Sequence, residues 1–427
     1  MVEVLFIALA VLLAAGVPIS VAMVLTAALA IVTCSHYSLD LVAQKLFAQS
    51  DSWPLMAIPL FVLAGGIMSK GGMSARLIRL ASALVGEVRG GLAMVAVLAC
   101  MFFASISGST AATTAAIGSV MIPAVARTGF SRGAATGLQC TAGSIGIIIP
   151  PSIPFILMGV VGGMSIGELF LGGVVPGILA GLALMATAHV IARVQRHPPS
   201  GARVSLRAVA AAFWHSILSL LTVVLIVGAI MGGWATATEA AILAVVWAFI
   251  VSFFIYKELT LSDMPGLLVD TAKVTGIVVL CIGATAPFGW LLTAEQVPAR
   301  IAAGMLGLTA NAAVLKLLMV FILLAVGTFL DLTPALILLV PIFQPIAQQI
   351  QMDPIQFGVM MVLALAIGQS TPPVGISLFV ACSIARIRIG DVALPLVPFL
   401  AAMVVALLIT TFWSPAAVWL PATFMRQ

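Results

Sequence analysis

The sequence predicts an all-α polytopic membrane protein of two inverted-topology repeats, each with a re-entrant helical hairpin and a broken transmembrane helix. Three observations lead there. The first is composition: of 427 residues, 63% are hydrophobic and only 7% are charged, against about 25% charged in a soluble domain. Mean hydropathy is +1.28. At about 20 apolar residues per span, the chain has room for roughly ten to twelve spans with short loops. The second is a polar, helix-weakening patch, SGSTAATTAAIGSVMIP (residues 107–123), placed directly after the uncharged apolar run 91–106. The third is that this patch, and the proline-interrupted segment behind it, recur in the C-terminal half.

The elements follow in chain order. The N-terminal run lacks a basic n-region and is too long for a signal h-region, so it reads as a retained first span, bent near Pro18. Residues 35–53 read as an amphipathic interfacial helix. Lys and Arg mark cytoplasmic loops. They fall in four clusters: Lys70, Arg76, Arg79 and Arg89; Arg127 and Arg132; Arg193, Arg196, Arg203 and Arg207; Arg386 and Arg388. The net charge of +5 thus belongs to loops beside lipid headgroups, and nucleic acid is not implied.

With Arg89 and Arg127 on one side, the residues between them cannot be a single span. Two full spans need about 40 residues and a turn in the headgroups, whereas only the 37 residues 90–126 are present. A re-entrant hairpin turning at 107–110 fits. Non-helical backbone at that depth is tolerated only where it is buried in protein or lines a cavity. On the patch alone, a small-residue helix face packed closely against a neighbour is an equal alternative.

The duplication decides between them. In GLQCTAGSIGIIIPPSIPFILMG (137–159), a Pro pair behind Gly143 and Gly146 breaks a spanning segment, because proline removes a backbone donor and clashes with the preceding turn. LAVGTFLDLTPALILLVP (324–341) and LALAIGQSTPPVGISLFV (363–380) repeat the pair of devices. Ser107 stands 43 residues before Pro150, and Thr328 stands 44 before Pro372. Interrupted segments at corresponding positions of two halves point to a secondary transporter with its site at the midplane. Three spans, near 212–231, 236–256 and 274–293, place the second hairpin on the opposite side, hence the inversion. Lys257 and Lys273 mark their loop only faintly.

At these residues the chain resembles the large membrane subunit of TRAP (tripartite ATP-independent periplasmic) transporters over nearly its whole length. The resemblance implies a sodium-driven, elevator-type importer of organic acids in the bacterial inner membrane. It implies two partners, a small four-helix membrane subunit carried on a separate polypeptide and a periplasmic substrate-binding protein, with sodium as coupling ion and no other cofactor or metal. Carried over, one sodium site uses Ser107, Gly108 and Ser109 with Gly143, Gly146 and Pro150. The other uses Gly327, Thr328 and Asp331 with Gly368, Thr371 and Gly375. Ser109, Thr110, Ser152, Thr333 and Pro373, beside the same breaks, are the substrate-contact candidates. Sodium is a hard cation that takes the carbonyl and hydroxyl oxygens unwound helix ends expose, and half-helix N-termini favour a carboxylate.

The resemblance also implies the division of the chain. Residues 1–90 form N-terminal scaffold and arm helices. Residues 91–165 form transport repeat 1, with hairpin 91–126 and broken helix 134–158. Residues 166–311 form central scaffold with a basic linker at 193–208. Residues 312–390 form repeat 2, with hairpin 312–351 and broken helix 356–385, and 391–427 a C-terminal helix.

Single residues carry weaker signals. Asp331 is a costly intramembrane acid that either ligates or caps the second arm. Glu239 reads as a helix-start acid, and Arg300 and Lys316 as snorkelling residues. His189 and His215 have no second ligand at metal spacing. Trp53, Trp234, Trp413 and Trp419 read as interfacial belts, and the five scattered cysteines as small buried hydrophobes. The absence of HExxH, GxSxG and paired intramembrane acids sets an enzyme aside. A stand-alone ion-coupled carboxylate carrier and a channel remain as alternatives.

Overall fold

The computed structural model of the protein describes residues 1–34, 37–85, 88–200, 205–309, 311–373 and 375–425. Arg203 of the third basic cluster, and positions 35 and 36 of the expected amphipathic segment, lie outside them. The N-terminal run is two helices, α1 (Val2–Ala14) and α2 (Ile19–Cys34), separated by a turn in which Gly16 takes φ +79°. Next come α3 (Asp40–Ser50), α4 (Ala57–Lys70) and α5 (Met73–Val85). The segment between Lys70 and Arg89 is therefore not a loop. Met73, Leu77, Leu80 and Ala81 recur at helical spacing and are buried, which sets Arg79 off the packed face, while Arg76 packs over the Tyr256 ring. A two-residue strand, β1 (Val88–Arg89), leads into hairpin arms α6 (Gly91–Ser107) and α7 (Thr110–Ala126).

The first broken helix is α8 (Arg132–Ser144), a tight turn at Ile145–Ile147, and α9 (Ile153–Gly162). The middle of the chain holds α10 (Ile166–Val194), strand β2 (Pro199–Ser200), α11 (Leu206–Met231), α12 (Ala237–Phe249) ending in a π-helical turn, α13 (Met264–Ala294) and α14 (Val297–Leu308). The second hairpin is α15 (Ala312–Phe329) and α16 (Leu332–Gln349), and the second broken helix is α17 (Pro354–Gly368) and α18 (Ile376–Ala385). The chain closes with α19 (Ile389–Phe412) and α20 (Pro415–Phe424), two helices where the sequence suggested one. Among the described residues eight helices are long and apolar enough to cross a membrane. That is fewer than the composition suggested, because much apolar sequence goes into half-helices and short hairpin arms.

Side-chain contacts show the inversion. Arg132, at the start of α8, and Arg386, at the end of α18, line one cavity with Arg127. At the other end, Gln344 of α16 donates to the Gly162 carbonyl that closes α9 (2.9 Å), and Gln356 at the start of α17 donates to Thr410 (2.9 Å) and Thr411 (3.0 Å) in the last turn of α19. Broken helix 1 thus runs away from the arginine end and broken helix 2 runs back to it. Each hairpin enters from the end where the other repeat's broken helix finishes.

The basic clusters gather at the same end. β1 pairs antiparallel with β2, Val88 opposite Ser200 and Arg89 opposite Pro199. His189 Nδ1 lies 3.0 Å from the Arg89 carbonyl, and the Phe130 and His197 rings meet edge-to-face at 4.7 Å. Lys70 pairs with Asp263 and Arg76 with Glu258, both at 2.8 Å. These pairs attach the faintly marked 256–263 loop to the first basic cluster, as one cytoplasmic face requires. Glu239 closes a capping box with Thr236, its carboxylate 2.7 Å from the Thr236 backbone nitrogen, which is the helix-start role. Lys316 donates to the Thr411 carbonyl at 3.4 Å. Trp53, Trp234, Trp413 and Trp419 are all exposed.

Where broken helix 2 passes hairpin 2, backbones touch. A Cβ built on Gly368 would lie 2.6 Å from the Gly327 backbone. Overpacking a closed contact costs about 1–3 kcal/mol, so Gly368→Ala should lower the thermal unfolding midpoint of the purified protein. Gly228→Ala, with nothing within 4 Å of the added methyl, should leave it unchanged or raise it slightly. Equal midpoints for the two variants would refute the close-approach reading.

Candidate functional site

The site is built where the four interrupted elements cross. At tip 1, α6 ends on Gly108 in the left-handed region, φ +56°, its N–H bonded to the Ala104 carbonyl. Ser109 then caps α7, accepting from Ala112 N. A Cβ on Gly108 would stand 3.3 Å from the Pro151 carbonyl oxygen and 3.4 Å from Ile153 N, and one on Gly146 would stand 2.6 Å from Thr113 Oγ1 and 3.4 Å from the Ser109 carbonyl oxygen. Tip 1 therefore lies in the break of broken helix 1, as a mid-depth turn must. Ser107 Oγ and Thr113 Oγ1 share a 2.6 Å hydrogen bond across the tip. Gly143 sits one turn further along, under Thr114. Pro150 is buried at the break, while the neighbouring Pro151 faces the tip.

Tip 2 repeats the arrangement in broken helix 2. Gly375 N donates to the Thr328 carbonyl at 3.2 Å, and Gly327 abuts Gly368. Gly375 has φ +43°, and a Cβ there would meet the carbonyl oxygens of Gln369 at 2.8 Å and Thr371 at 3.0 Å. Carbonyls thus converge on that glycine. The hydroxyls of Thr328 and Thr371 donate to Ala325 (2.7 Å) and Ile367 (2.8 Å) of their own helices, which leaves their lone pairs free. Asp331 begins α16 without a side-chain capping bond. It stands at the N-cap position, and its carboxylate accepts from Gln369 Nε2 at 2.8 Å.

Gln369 is the residue that inspection of the sequence missed. Its Oε1 accepts from Thr110 Oγ1 at 2.9 Å while its amide donates to Asp331. One buried side chain therefore joins the two hairpin tips. The available signal was a glutamine at the end of an apolar run, where a polar group needs a partner. A second network lies beside it. Thr114 Oγ and Ser377 Oγ are 2.9 Å apart, Ser377 and Ser370 both donate to the Cys140 carbonyl, at 3.0 and 3.2 Å, and Ser144 shares a hydrogen bond with Ser370. Hairpin 1 and both broken helices are thereby held as one body.

The substrate-contact candidates separate. Thr110 is buried in the Gln369 link. Ser152 is buried, with its hydroxyl donating to the Ile147 carbonyl across the break. Ser109 and Thr333 are half-buried, and Pro373 and Asp331 are exposed. Tip 2 is the open side. Nearby, between α3, α9, α13 and α16, lies a cavity of about 400 Å³ lined by Lys45, Gln49, Thr285 and Thr293. Lys45 Nζ stands 5.4 Å from the centre of the Trp290 ring. No group of three or more His, Cys, Asp or Glu able to hold a metal occurs among the described residues.

Two antiparallel hairpin-plus-broken-helix units meeting at their interruptions define a polytopic secondary-transporter fold. Residues 6–416 match the family described as "Tripartite ATP-independent periplasmic transporter, DctM component", and the chain belongs to that family. It is 40% identical over 397 residues to the C4-dicarboxylate TRAP transporter large permease protein DctM of Pseudomonas aeruginosa, covering 93% of each chain. It is 41% identical over 403 residues to the isethionate TRAP transporter permease protein DctMQ of Oleidesulfovibrio alaskensis, covering 94% of this chain but 64% of that longer protein. A crystal structure of the Alcanivorax borkumensis YdaH transporter, described as having an unusual topology, superposes with a TM-score of 0.59 over 87% of both chains at 15% identity, a likeness of fold. These relatives are permeases rather than enzymes, and the chain is a multi-pass permease of the bacterial inner membrane.

The Gln369 link makes a quantitative expectation. Thr110→Ala and Asp331→Ala each leave one end of Gln369 without its partner. A buried hydrogen bond contributes about 1 kcal/mol and coupled sites are non-additive by about 0.5–3 kcal/mol. A double-mutant cycle of Thr110→Ala with Gln369→Leu, read by thermal unfolding, should therefore give a non-zero coupling. Strict additivity would show that the link does not hold the tips.

Proposed function

We propose that the protein is the large membrane subunit of a sodium-driven, binding-protein-dependent importer of organic anions that works by an elevator motion. The observation that carries this is the seating of each hairpin tip in the break of its broken helix, with both tips tied through Gln369. In the proposal, Ser107, Gly108, Ser109, Gly143, Gly146 and Pro150 form one sodium site. Gly327, Thr328, Asp331, Gly368, Thr371 and Gly375 form the other. The support is chemical: paired oxygen-rich breaks offer carbonyls, hydroxyls and one carboxylate, the donor set a hard cation takes. Ser109, Thr333 and Pro373, half-buried or exposed beside the tips, are the proposed substrate contacts, with Thr110 and Ser152 shaping the tip and break behind them.

The substrate class comes from the relatives' names, isethionate and C4-dicarboxylate, which share an anionic group on a small organic frame. Lys45, half-buried, supplies positive potential in a cavity that α16, the second arm of hairpin 2, also lines. The partners proposed are a small four-helix membrane subunit and a periplasmic binding protein, in keeping with the longer DctMQ relative. The moving body comprises 91–165 and 312–390, bound by the buried hydroxyl network, with the remaining helices as scaffold.

The test is uptake of a labelled C4-dicarboxylate into proteoliposomes holding this chain, its small subunit and the cognate binding protein. Uptake should need an inward sodium gradient and the binding protein, and should fall at least tenfold in Asp331→Asn and in Thr371→Ala. Uptake without the binding protein would favour the stand-alone carrier, and sodium-independent uptake would remove the ion sites.

A further inference from the structure

On the arginine-rich end Lys70 pairs with Asp263, Arg76 with Glu258 and Arg388 with Asp391. Of the arginines without an ion pair among the described residues, three from different parts of the chain stand around one cavity. Arg127 at the end of α7, Arg132 at the start of α8 and Arg386 just past α18 are all exposed, and none is ion-paired among the described residues. They come from three separate chain segments, yet line a single cavity of about 560 Å³. The rest of its wall is apolar, including Ile122, Phe130 and Ile384, and it contains no acidic side chain. Unpaired like charges brought together repel, so the arrangement costs free energy unless an anion neutralises it.

We infer that this cavity is a binding site for the phosphate headgroup of an acidic phospholipid. The three guanidiniums supply forked N–H donors that match phosphate oxygens. The first turn of α8, capped by Ser131, adds the positive end of a helix at Arg132. The apolar wall distinguishes a lipid from a free anion, because it gives the glycerol and upper acyl carbons a surface that inorganic phosphate does not use. Basic pockets between transmembrane helices on the cytoplasmic side suit such headgroups. The occupant would hold the base of hairpin 1 to the end of broken helix 2, two parts of one body that here share no side-chain ion pair.

The full-length protein, purified in a neutral detergent, is titrated with phosphatidylglycerol, with phosphatidylcholine and with inorganic phosphate, and the thermal unfolding midpoint is followed. Phosphatidylglycerol should raise the midpoint saturably, and phosphatidylcholine should not. At about fivefold per arginine, the triple variant Arg127→Gln, Arg132→Gln, Arg386→Gln should weaken the phosphatidylglycerol response on the order of a hundredfold. A charge-matched control, Arg193→Gln, Arg196→Gln, Arg207→Gln, should stay close to the unmodified protein. If the triple variant does not fold, Arg127→Gln and Arg132→Gln singly should each show the fivefold loss. Equal responses to the two lipids, an equal loss in the control, or single variants indistinguishable from the unmodified protein would overturn the site. Inorganic phosphate matching phosphatidylglycerol at equal concentration would overturn the lipid assignment.

Discussion

Inside a bilayer no water is available to an unpaired backbone group, so every interrupted helix must find its partners within the protein. That constraint organises this molecule. Two helices are broken at Pro pairs and two hairpins turn beside the breaks, and polar groups around them are answered within the protein. Thr328 accepts from Gly375, Ser152 from across its own break donates to Ile147, and the Cys140 carbonyl takes two hydroxyls from broken helix 2. One of these bonds closes within a single break, at Ser152, and the others join two elements.

Small residues make this possible. Gly327 against Gly368, Gly143 under Thr114 and Gly108 against Pro151 bring backbones within reach where a methyl group would not fit. Short hydroxyl side chains then complete the contacts without bulk. The consequence is a core whose centre is polar but almost closed, with its opening at tip 2, where Asp331 and Pro373 are exposed. Around it the remaining helices present apolar faces to lipid, as their exposed Leu, Ile, Val and Phe residues require of a membrane protein. Gln369 adds what hydroxyls cannot reach: a side chain long enough to touch both tips, donating to one and accepting from the other. One amide therefore contacts both tips.

Much of this was legible beforehand. The tips, the breaks and their inversion followed from Gly, Pro and the basic clusters, because these residues act locally: proline ends a helix whatever surrounds it, and arginine stays out of the bilayer core. Several readings needed adjustment where local signals run out. The segment between Lys70 and Arg89, marked as a loop by its basic residues, is largely a helix, because the spacing of Met73, Leu77 and Leu80 lets it pack. The N-terminal span is two helices, and the C-terminal one likewise.

The sequence by itself determined that the chain lives in a membrane, where its helices break, and which end faces the basic side, because hydropathy, proline geometry and charge are properties of single residues and short runs. The tertiary structure alone decided which polar groups meet. Thr110 and Gln369 lie 259 residues apart and Thr114 and Ser377 lie 263 apart, so no spacing rule connects them. It likewise decided that Arg127, Arg132 and Arg386 share one cavity. Those pairings depend on how the second repeat packs inverted against the first, a matter of shape and close backbone approach summed over the whole core.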